Sequence, residues 1–233
     1  MPLRMPPRFE ADLASAMPVG NDSGVVFSPY WSGTFRPAVK RAIDLVGAGS
    51  LLVLLSPLFL LLAVTVKLSS PGDLFYRWKV VGQGGKPFLS YKFRSMVADA
   101  DELLEQLEAG NEMTGPVFKM TADPRVTGTG KWMRRYSLDE LPQLYSVLKG
   151  DMSLVGPRPP LAREYQKFTD YQKQKLSVKP GMTGLWQVKG RNRVRDLDDW
   201  VRLDLEYIRR WSLWLDTEIL FRTVAAVFSG SGK

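Results

Sequence analysis

"LVGAGSLLVLLSPLFLLLAVTV", residues Leu45 to Val66, is the stretch of this sequence that decides the fold. Its 22 residues include no charged side chain. As a helix it would be about 33 Å long, which is enough to cross the hydrocarbon core of a bilayer. We therefore expect a helical segment embedded in a membrane at this point of the chain.

The residues around and within this stretch allow two arrangements. Ser56 and Pro57 lie near its centre, where the proline removes a helical hydrogen bond and the serine hydroxyl can satisfy a freed carbonyl. Because basic flanks favour the cytoplasmic side, a re-entrant helical hairpin would keep both flanks there, whereas a kinked single span would carry one across. Both arrangements stay open on the residues alone. The basic flanks are Arg36, Lys40 and Arg41 before the stretch, and Lys67, Arg77 and Lys79 after it.

The rest of the sequence predicts an α+β fold that is mainly helical. We expect a flexible N-terminal tail over 1–36, because residues 1–34 are rich in Pro, Gly, Ser and Asp. A membrane helix-break-helix over 37–68 and one larger domain over 69–230 should follow it. "DLFYRWKVV" and "KPFLSYKFRSM" alternate apolar and polar residues on either side of "GQGG". This alternation predicts a small β-hairpin.

Five further helical segments are predicted from hydrophobic periodicity. "DADELLEQLEAG" indicates a short amphipathic helix. A second helix is expected from about Lys131 or Leu138 to Leu148, and a third from Leu161 to about Leu176. The C-terminal third carries two amphipathic patterns of a kind that suits the membrane interface.

Composition limits the chemistry that this chain can perform. Its 233 residues allow one sizeable core, and the formal net charge of +8 indicates an anionic partner. The chain has no cysteine and no histidine, which excludes disulfides, thiol nucleophiles and the usual general base. Catalysis must therefore rely on carboxylates, Lys, Tyr, Ser, Thr or a hard cation.

The adjacent carboxylates Asp139 and Glu140 have a structural and a functional interpretation. Ser137, with Glu140 three positions later, fits a capping box, and Asp139 suits the first turn of a helix. However, Arg134 and Arg135 lie just upstream, and a helix N-terminus near cations binds phosphate. In that field Asp139 would stay ionised, as a nucleophile or a Mg²⁺ ligand requires, and Glu140 could position the metal or handle a proton.

Two further segments are candidates for binding an anion. The prolines of "GPRP" fix the backbone around Arg158, and a rigid guanidinium suits bidentate phosphate binding, although a surface arginine in a turn is the simpler interpretation. "KPGMTGLWQVKGRN" places Gln187 and Arg191 near Trp186 on a segment broken by glycines. This segment is either a site for an anionic ligand or a solvated basic loop.

Eight short motifs occur in one order along the chain: "KRAIDL", "LLSPLFLL", "SSPG", "YKFRSM", "DPRVT", "SLDELPQL", "VLKGDMSLVGPRP" and "KPGMTGLWQVKGRN". Together they resemble the bacterial sugar transferases, the monotopic polyprenyl-phosphate phosphoglycosyl transferases that begin exopolysaccharide and glycoconjugate assembly. The likeness covers about Lys40 to Phe228.

The resemblance implies a membrane arrangement and a two-step reaction. A re-entrant helix bent at Ser56 and Pro57 would enter the bacterial inner membrane and leave the catalytic part facing the cytoplasm. Asp139 would attack the β-phosphorus of a UDP-sugar, typically a UDP-hexose, releasing UMP and leaving a covalent phosphosugar-aspartyl intermediate. Undecaprenyl phosphate would then accept the phosphosugar. Asp139 and Glu140 would hold Mg²⁺, and Glu140 would assist with the metal or with protons.

The resemblance also assigns binding residues and partners. Arg134 and Arg158 correspond to phosphate ligands, while Gln187 and Arg191 fall in the region associated with the nucleotide or product. The partners would be the UDP-sugar, undecaprenyl phosphate and membrane lipid, with no nucleic acid, and neither the sugar nor a homodimer is decided. The competing hypothesis is a single-span anchored basic module that binds anionic lipid or nucleic acid, with an affinity that falls steeply with salt.

Overall fold

The structure, a computed structural model, describes residues 35–190, 194–230 and 232. Helices and two small sheets make up its regular structure, which confirms the prediction of a mainly helical α+β fold. The predicted tail over 1–36 lies outside the described residues except for its last two, with which the first helix begins. The domain limits at 37, 68 and 230 stay predictions.

The apolar stretch forms two helices that meet at a bend. α1 spans Phe35–Leu54 and α2 spans Ser56–Ser69, and the two axes differ by 62°. Pro57 lies in the first turn of α2, and the Ser56 hydroxyl donates to the Val53 carbonyl at 2.8 Å. Within the described residues no helix alone has both the length and the apolar composition to cross a bilayer, and α1 and α2 meet those criteria only as a pair.

The elements that follow α2 begin with the predicted β-hairpin, in which β1 (Phe75–Val81) pairs antiparallel with β2 (Pro87–Phe93). A second sheet, of two short parallel strands, was not predicted because its strands are too short to show alternation. The remaining elements in chain order are α3 (Leu104–Leu107), α4 (Gly128–Arg135), α5 (Gln143–Lys149), β3 (Ser153–Val155), α6 (Ala162–Tyr165), α7 (Asp170–Lys173), β4 (Gly181–Thr183), α8 (Leu185–Gly190), α9 (Leu197–Arg210) and α10 (Leu213–Phe228).

Three of the predicted helices are shorter or more broken than expected, whereas the two C-terminal helices are confirmed. The segment around α3 forms a single α-helical turn in which only Leu104 is buried, so little packing stabilises a longer helix. A 3₁₀ turn over Leu138–Glu140 separates α4 from α5, because Ser137 has a left-handed backbone with φ of 56°. The helix expected from Leu161 to Leu176 is interrupted at Thr169, whose hydroxyl caps a new helix.

The polar N-terminal half of α1 is attached to the rest of the protein by buried side chains. Lys40 Nζ donates to Asp216 Oδ2 of α10 at 2.6 Å and to the Val155 carbonyl at 3.0 Å. Asp44 Oδ1 accepts from the hydroxyl of Ser153 and from the next backbone N–H, both at 2.9 Å. The first flank of basic residues therefore acts partly within the protein rather than only as a marker of membrane orientation.

The outer faces of α1 and α2 expose large apolar side chains. Val53 is 77 % exposed, Leu54 74 % and Leu68 83 %. The inner face of α2, by contrast, packs Leu62 and Val66 into a small core with Phe93 and Met133. An exposed apolar surface of this kind is typical of contact with lipid or with another protein.

Candidate active site

A cavity of about 700 Å³ lies between the hairpin, α4 and the loop that follows β3. Its wall includes five of the residues that the sequence singled out, namely Arg134, Asp139, Glu140, Arg158 and Gln187. The sixth, Arg191, lies outside the described residues. Among the described residues on this wall, eight are Arg or Lys and six are Asp or Glu, so the cavity favours an anionic ligand.

The 3₁₀ turn over Leu138–Glu140 carries the acidic pair into the cavity. Ser137 precedes it at φ of 56° and ψ of 24°, a left-handed conformation that costs a non-glycine residue about 1–3 kcal/mol when the surroundings enforce it. The Ser137 side chain makes no capping hydrogen bond, and Glu140 pairs with Lys92 instead. The capping-box interpretation is therefore wrong.

The carboxyl group of Asp139 is buried, with the residue only 6 % exposed. Burial raises its pKa, and the adjacent Glu140 raises it further, while Lys92 and Arg134 act in the opposite direction. The cations that we expected to keep Asp139 ionised are therefore present. Their lowering effect on its pKa is smaller than the raising effect of burial. A carboxylate that is desolvated and poorly stabilised in this way is a stronger nucleophile than one in water.

Lys92 in β2 is a site residue that sequence reasoning missed. Its Nζ lies 2.7 Å from Glu140 Oε1 and 3.9 Å from the centroid of the Trp78 ring. Lys92 belongs to the "YKFRSM" motif, but nothing in the sequence indicates pairing with an acid 48 residues away. The ammonium group fixes one oxygen of Glu140 and contributes positive charge beside the acidic pair.

The backbone around Arg158 is held from both sides, as the flanking prolines suggested. The Gly181 N–H donates to the Pro157 carbonyl at 2.8 Å, and the Val81 N–H donates to the Pro160 carbonyl at 3.0 Å. The segment therefore runs between β4 and β1, which limits the positions that the Arg158 side chain can reach.

The guanidinium group of Arg158 lies between two tryptophan rings. Its Cζ is 5.5 Å from the centroid of Trp78 and 5.1 Å from that of Trp200, within the range of cation–π attraction. Among the described residues it forms no hydrogen bond and no ion pair, so its N–H groups can bind a phosphate.

Two buried carboxyl groups lie behind Arg158. Burial raises the pKa of Glu164, and Arg158 opposes that shift. Burial also raises the pKa of Asp204 to about 6, against the effect of Lys175, whose Nζ lies 2.5 Å from Asp204 Oδ2, and of Arg158. The carboxyl groups of Glu164 and Asp204 interact electrostatically with Arg158, but they form no hydrogen bond with its N–H groups.

Arg134 and Gln187 also line the cavity. Arg134 lies in the last turn of α4, where its Nε donates to the Ser95 hydroxyl at 2.9 Å. Gln187 in α8 donates from Nε2 to the Met182 carbonyl at 3.0 Å, and its Oε1 is buried with no hydrogen-bond partner among the described residues. An unsatisfied buried acceptor of this kind is suited to a ligand N–H.

The acidic pair is compatible with Mg²⁺. No group of three or more Asp or Glu side chains that could hold a metal occurs in the part of the chain that the structure describes. Mg²⁺ does not require such a group, because it is usually held by one or two carboxylates together with waters and substrate phosphates. Asp139 and Glu140 supply that donor set on the cavity wall.

Comparison with known proteins gives a family and several relatives. The family model described as bacterial sugar transferase matches residues 35–230. The exopolysaccharide production protein ExoY of Rhizobium meliloti is 40 % identical over 218 residues, which are 91 % of this chain and 96 % of that protein.

Two longer relatives match a similar region. The galactosyl transferase CpsE of Streptococcus agalactiae serotype III is 46 % identical over 193 residues, or 83 % of this chain and 43 % of that protein. The undecaprenyl-phosphate galactose phosphotransferase of Salmonella typhimurium is 45 % identical over 198 residues, or 83 % and 41 % respectively. The chain thus spans about two fifths of these two relatives.

Proposed function

Because this chain belongs to the bacterial sugar transferase family, we propose that it transfers a sugar 1-phosphate from a UDP-sugar to undecaprenyl phosphate and releases UMP. Relatives from Erwinia amylovora and Escherichia coli are named for UDP-galactose and UDP-glucose, which supports a UDP-hexose as the donor. Such a step would be the first membrane reaction in the synthesis of an exopolysaccharide or glycoconjugate.

The observation that carries this proposal is the buried Asp139–Glu140 pair on the wall of a cationic cavity. A module that only bound anionic lipid or nucleic acid would gain nothing from a desolvated carboxylate next to another acid, since both repel its ligand. An enzyme that attacks phosphorus, by contrast, uses the desolvated carboxylate as the nucleophile and the adjacent acid beside it, provided that cations shield the phosphate oxygens.

Donor binding uses the arginines. Arg158 and Arg134 bind the diphosphate oxygens, and the planar guanidinium of Arg158 between its two tryptophan rings fixes the direction from which the phosphate is held. Gln187 contacts the nucleotide through its unsatisfied Oε1. The β-phosphorus then lies within reach of Asp139.

The first chemical step forms an aspartyl phosphosugar. A carboxylate oxygen of Asp139 attacks the β-phosphorus, the bond from that phosphorus to the bridging oxygen breaks, and UMP leaves with the electron pair. In the second step a phosphate oxygen of undecaprenyl phosphate attacks the same phosphorus. The bond to Asp139 then breaks, which regenerates the carboxylate and gives the lipid diphosphate sugar.

Asp139 and Glu140 would hold Mg²⁺, which when bound neutralises charge on the diphosphate and on the departing UMP. Lys92 keeps Glu140 in place through its 2.7 Å ion pair. Because the two substrates use the site in turn, a soluble donor and a lipid acceptor need not be bound together.

The α1–α2 pair would enter one leaflet and return, so that the catalytic part faces the cytoplasm at the bacterial inner membrane. Both ends of the pair pack against the same catalytic part: α1 through Lys40 and Asp44, and α2 through Leu62 and Val66. A span that crossed the bilayer would place its ends on opposite sides, which these contacts oppose. Cysteines introduced at Arg36 and Ser69 of this cysteine-free chain should both be labelled only from the cytoplasmic side.

The central experiment offers the purified protein UDP-galactose or UDP-glucose without lipid. We expect Mg²⁺-dependent release of UMP and a phosphohexose mass increment on the peptide that contains Asp139, both lost in Asp139→Asn. Asp170→Asn, which changes an exposed aspartate at the start of α7, is the matched control and should behave as wild type. Release of UMP by Asp139→Asn at the wild-type rate would refute the mechanism.

A further inference from the structure

Arg94 lies just after β2, on the wall of the same cavity, and has no role in the steps described above. The residue is only 9 % exposed. Its Nη2 donates to the Ser70 carbonyl at 2.6 Å, just beyond the end of α2, and its backbone N–H donates to the Leu74 carbonyl. The side chain is therefore held at the junction between the bent helix pair and the hairpin.

Within residues 35–190, 194–230 and 232, the guanidinium group of Arg94 has no counter-ion. Its Nε and Nη1 are buried and have no hydrogen-bond partner among the described residues, and no carboxylate in that part of the chain forms an ion pair with it. Burying a cation with unpaired N–H groups costs free energy unless an anion binds to those groups. The hydrogen bond to the Ser70 carbonyl uses only Nη2 of the guanidinium group. It therefore does not explain why Nε and Nη1 are buried as well.

The backbone next to Arg94 is shaped to admit the guanidinium. A Cβ at Gly72 would lie 2.3 Å from Nη1, so any larger residue at that position would displace the side chain. Gly72 also has φ of 121°, which other residues rarely adopt. Ser95, the next residue along the chain, accepts the hydrogen bond from Arg134, so the two arginines flank one end of the cavity.

This end of the cavity is adjacent to the apolar surface. Leu68, two residues before Ser70, is 83 % exposed. The Phe93 ring lies 5.5 Å from that of Phe59 in α2 and 5.2 Å from that of Phe75 in β1, so aromatic side chains lead from the bent helix to the hairpin beside Arg94. Polar groups next to the end of an apolar helix lie at the level of lipid phosphates.

We propose that Arg94 forms a second phosphate subsite, which binds the phosphate monoester of the lipid acceptor and directs it toward Asp139 from the membrane side. The inference rests on the proposed function. It divides the cationic wall between the substrates, because Arg158 and Arg134 serve the donor diphosphate while the unpaired nitrogens of Arg94 serve the acceptor.

The experiment measures the two half-reactions separately in Arg94→Gln and Arg94→Lys. Formation of the Asp139 adduct from UDP-galactose or UDP-glucose without lipid should stay within about twofold of wild type, which also shows that the variants fold. Discharge of the adduct by undecaprenyl phosphate should need at least about tenfold more lipid in Arg94→Gln, as expected for loss of charged hydrogen bonds. Arg94→Lys should recover part of this loss, because it keeps the charge.

Arg209→Gln, which removes an exposed arginine of α9, is the control and should leave both half-reactions unchanged. Competition by inorganic phosphate distinguishes the two sources of a phosphate monoester. If inorganic phosphate inhibits discharge in wild type but not in Arg94→Gln, the subsite recognises the phosphate group itself; if it inhibits neither, recognition requires the lipid chain as well.

Two results would overturn the proposal: an unchanged lipid requirement in Arg94→Gln, or an equal loss in adduct formation, which would assign Arg94 to the donor. If wild type forms no adduct with either donor, the proposed function fails instead, and the two failures are therefore distinguishable.

Discussion

Replacing Lys40 by methionine tests the attachment of the bent helix pair to the catalytic part. Lys40 and Asp216 are each 8 % exposed, and their charged atoms are 2.6 Å apart. Asp216 also accepts hydrogen bonds from Tyr207 at 2.8 Å and from Trp211 at 3.1 Å. In Lys40→Met, two neutral donors would remain around a buried carboxylate that has lost its counter-ion.

Loss of one partner from a buried ion pair costs about 3–5 kcal/mol, because the other charge stays buried without compensation. For a chain of this length each kcal/mol lowers the Tm by about 2–4 °C, so the expected decrease is about 6–20 °C. The measurement is thermal unfolding in detergent, followed by tryptophan fluorescence.

Adding Asp216→Asn to Lys40→Met removes the orphaned charge but keeps groups that can bond to Tyr207 and Trp211. The double variant should therefore regain about 1–3 kcal/mol relative to Lys40→Met. If Lys40→Met costs less than about 1 kcal/mol, or if the effects of the two substitutions simply add, Lys40 does not act as the counter-ion that stabilises buried Asp216.

Four further predictions concern the cavity. Because burial and Glu140 raise the pKa of Asp139, UMP release should increase with pH as that carboxyl loses its proton. Glu140→Gln should move this limb of the pH profile to lower pH, and Lys92→Met should move it to higher pH. Ser137→Gly should keep the left-handed turn and the wild-type Tm, whereas Ser137→Val should lose about 1–3 kcal/mol of stability together with adduct formation. In Gly130→Ala the new Cβ would collide with the Ser95 carbonyl oxygen, so α4 must shift and move Arg134 with it. Adduct formation should then fall by about a hundredfold. A wild-type rate would contradict the role given to Arg134. Arg158→Lys should raise the KM for the UDP-sugar about tenfold in UMP-release assays, since an ammonium group cannot reproduce the planar fork, and an unchanged KM would exclude Arg158 from the donor site.

Much of the fold follows from short-range patterns in the sequence. The β-hairpin follows from alternation around "GQGG", and the bend between α1 and α2 follows from the chemistry of Ser56 and Pro57. The two C-terminal helices likewise follow from an apolar repeat that is long enough to be unambiguous. These features depend on residues close together in the chain, so local pattern was sufficient.

The features that sequence reasoning missed depend on contacts between distant residues. Lys92 and Glu140 are 48 positions apart, and only the packing of β2 against the Leu138–Glu140 turn brings them together. The left-handed backbone of Ser137 is imposed on a residue with no intrinsic preference for it. The direction of the Asp139 pKa shift depends on burial, which a run of neighbouring charges does not reveal.

The buried contacts of α1 also have a practical consequence for protein engineering. Lys40 and Asp44 project from this helix into the catalytic part, where Asp216 and Ser153 depend on them. Removing the residues up to 69 to obtain a shorter protein would therefore take buried partners away from the interior as well as remove the exposed apolar surface of α1 and α2. A chimaera that takes α1 and α2 from a relative would also need that relative's residues at the positions of Ser153 in β3 and Asp216 in α10.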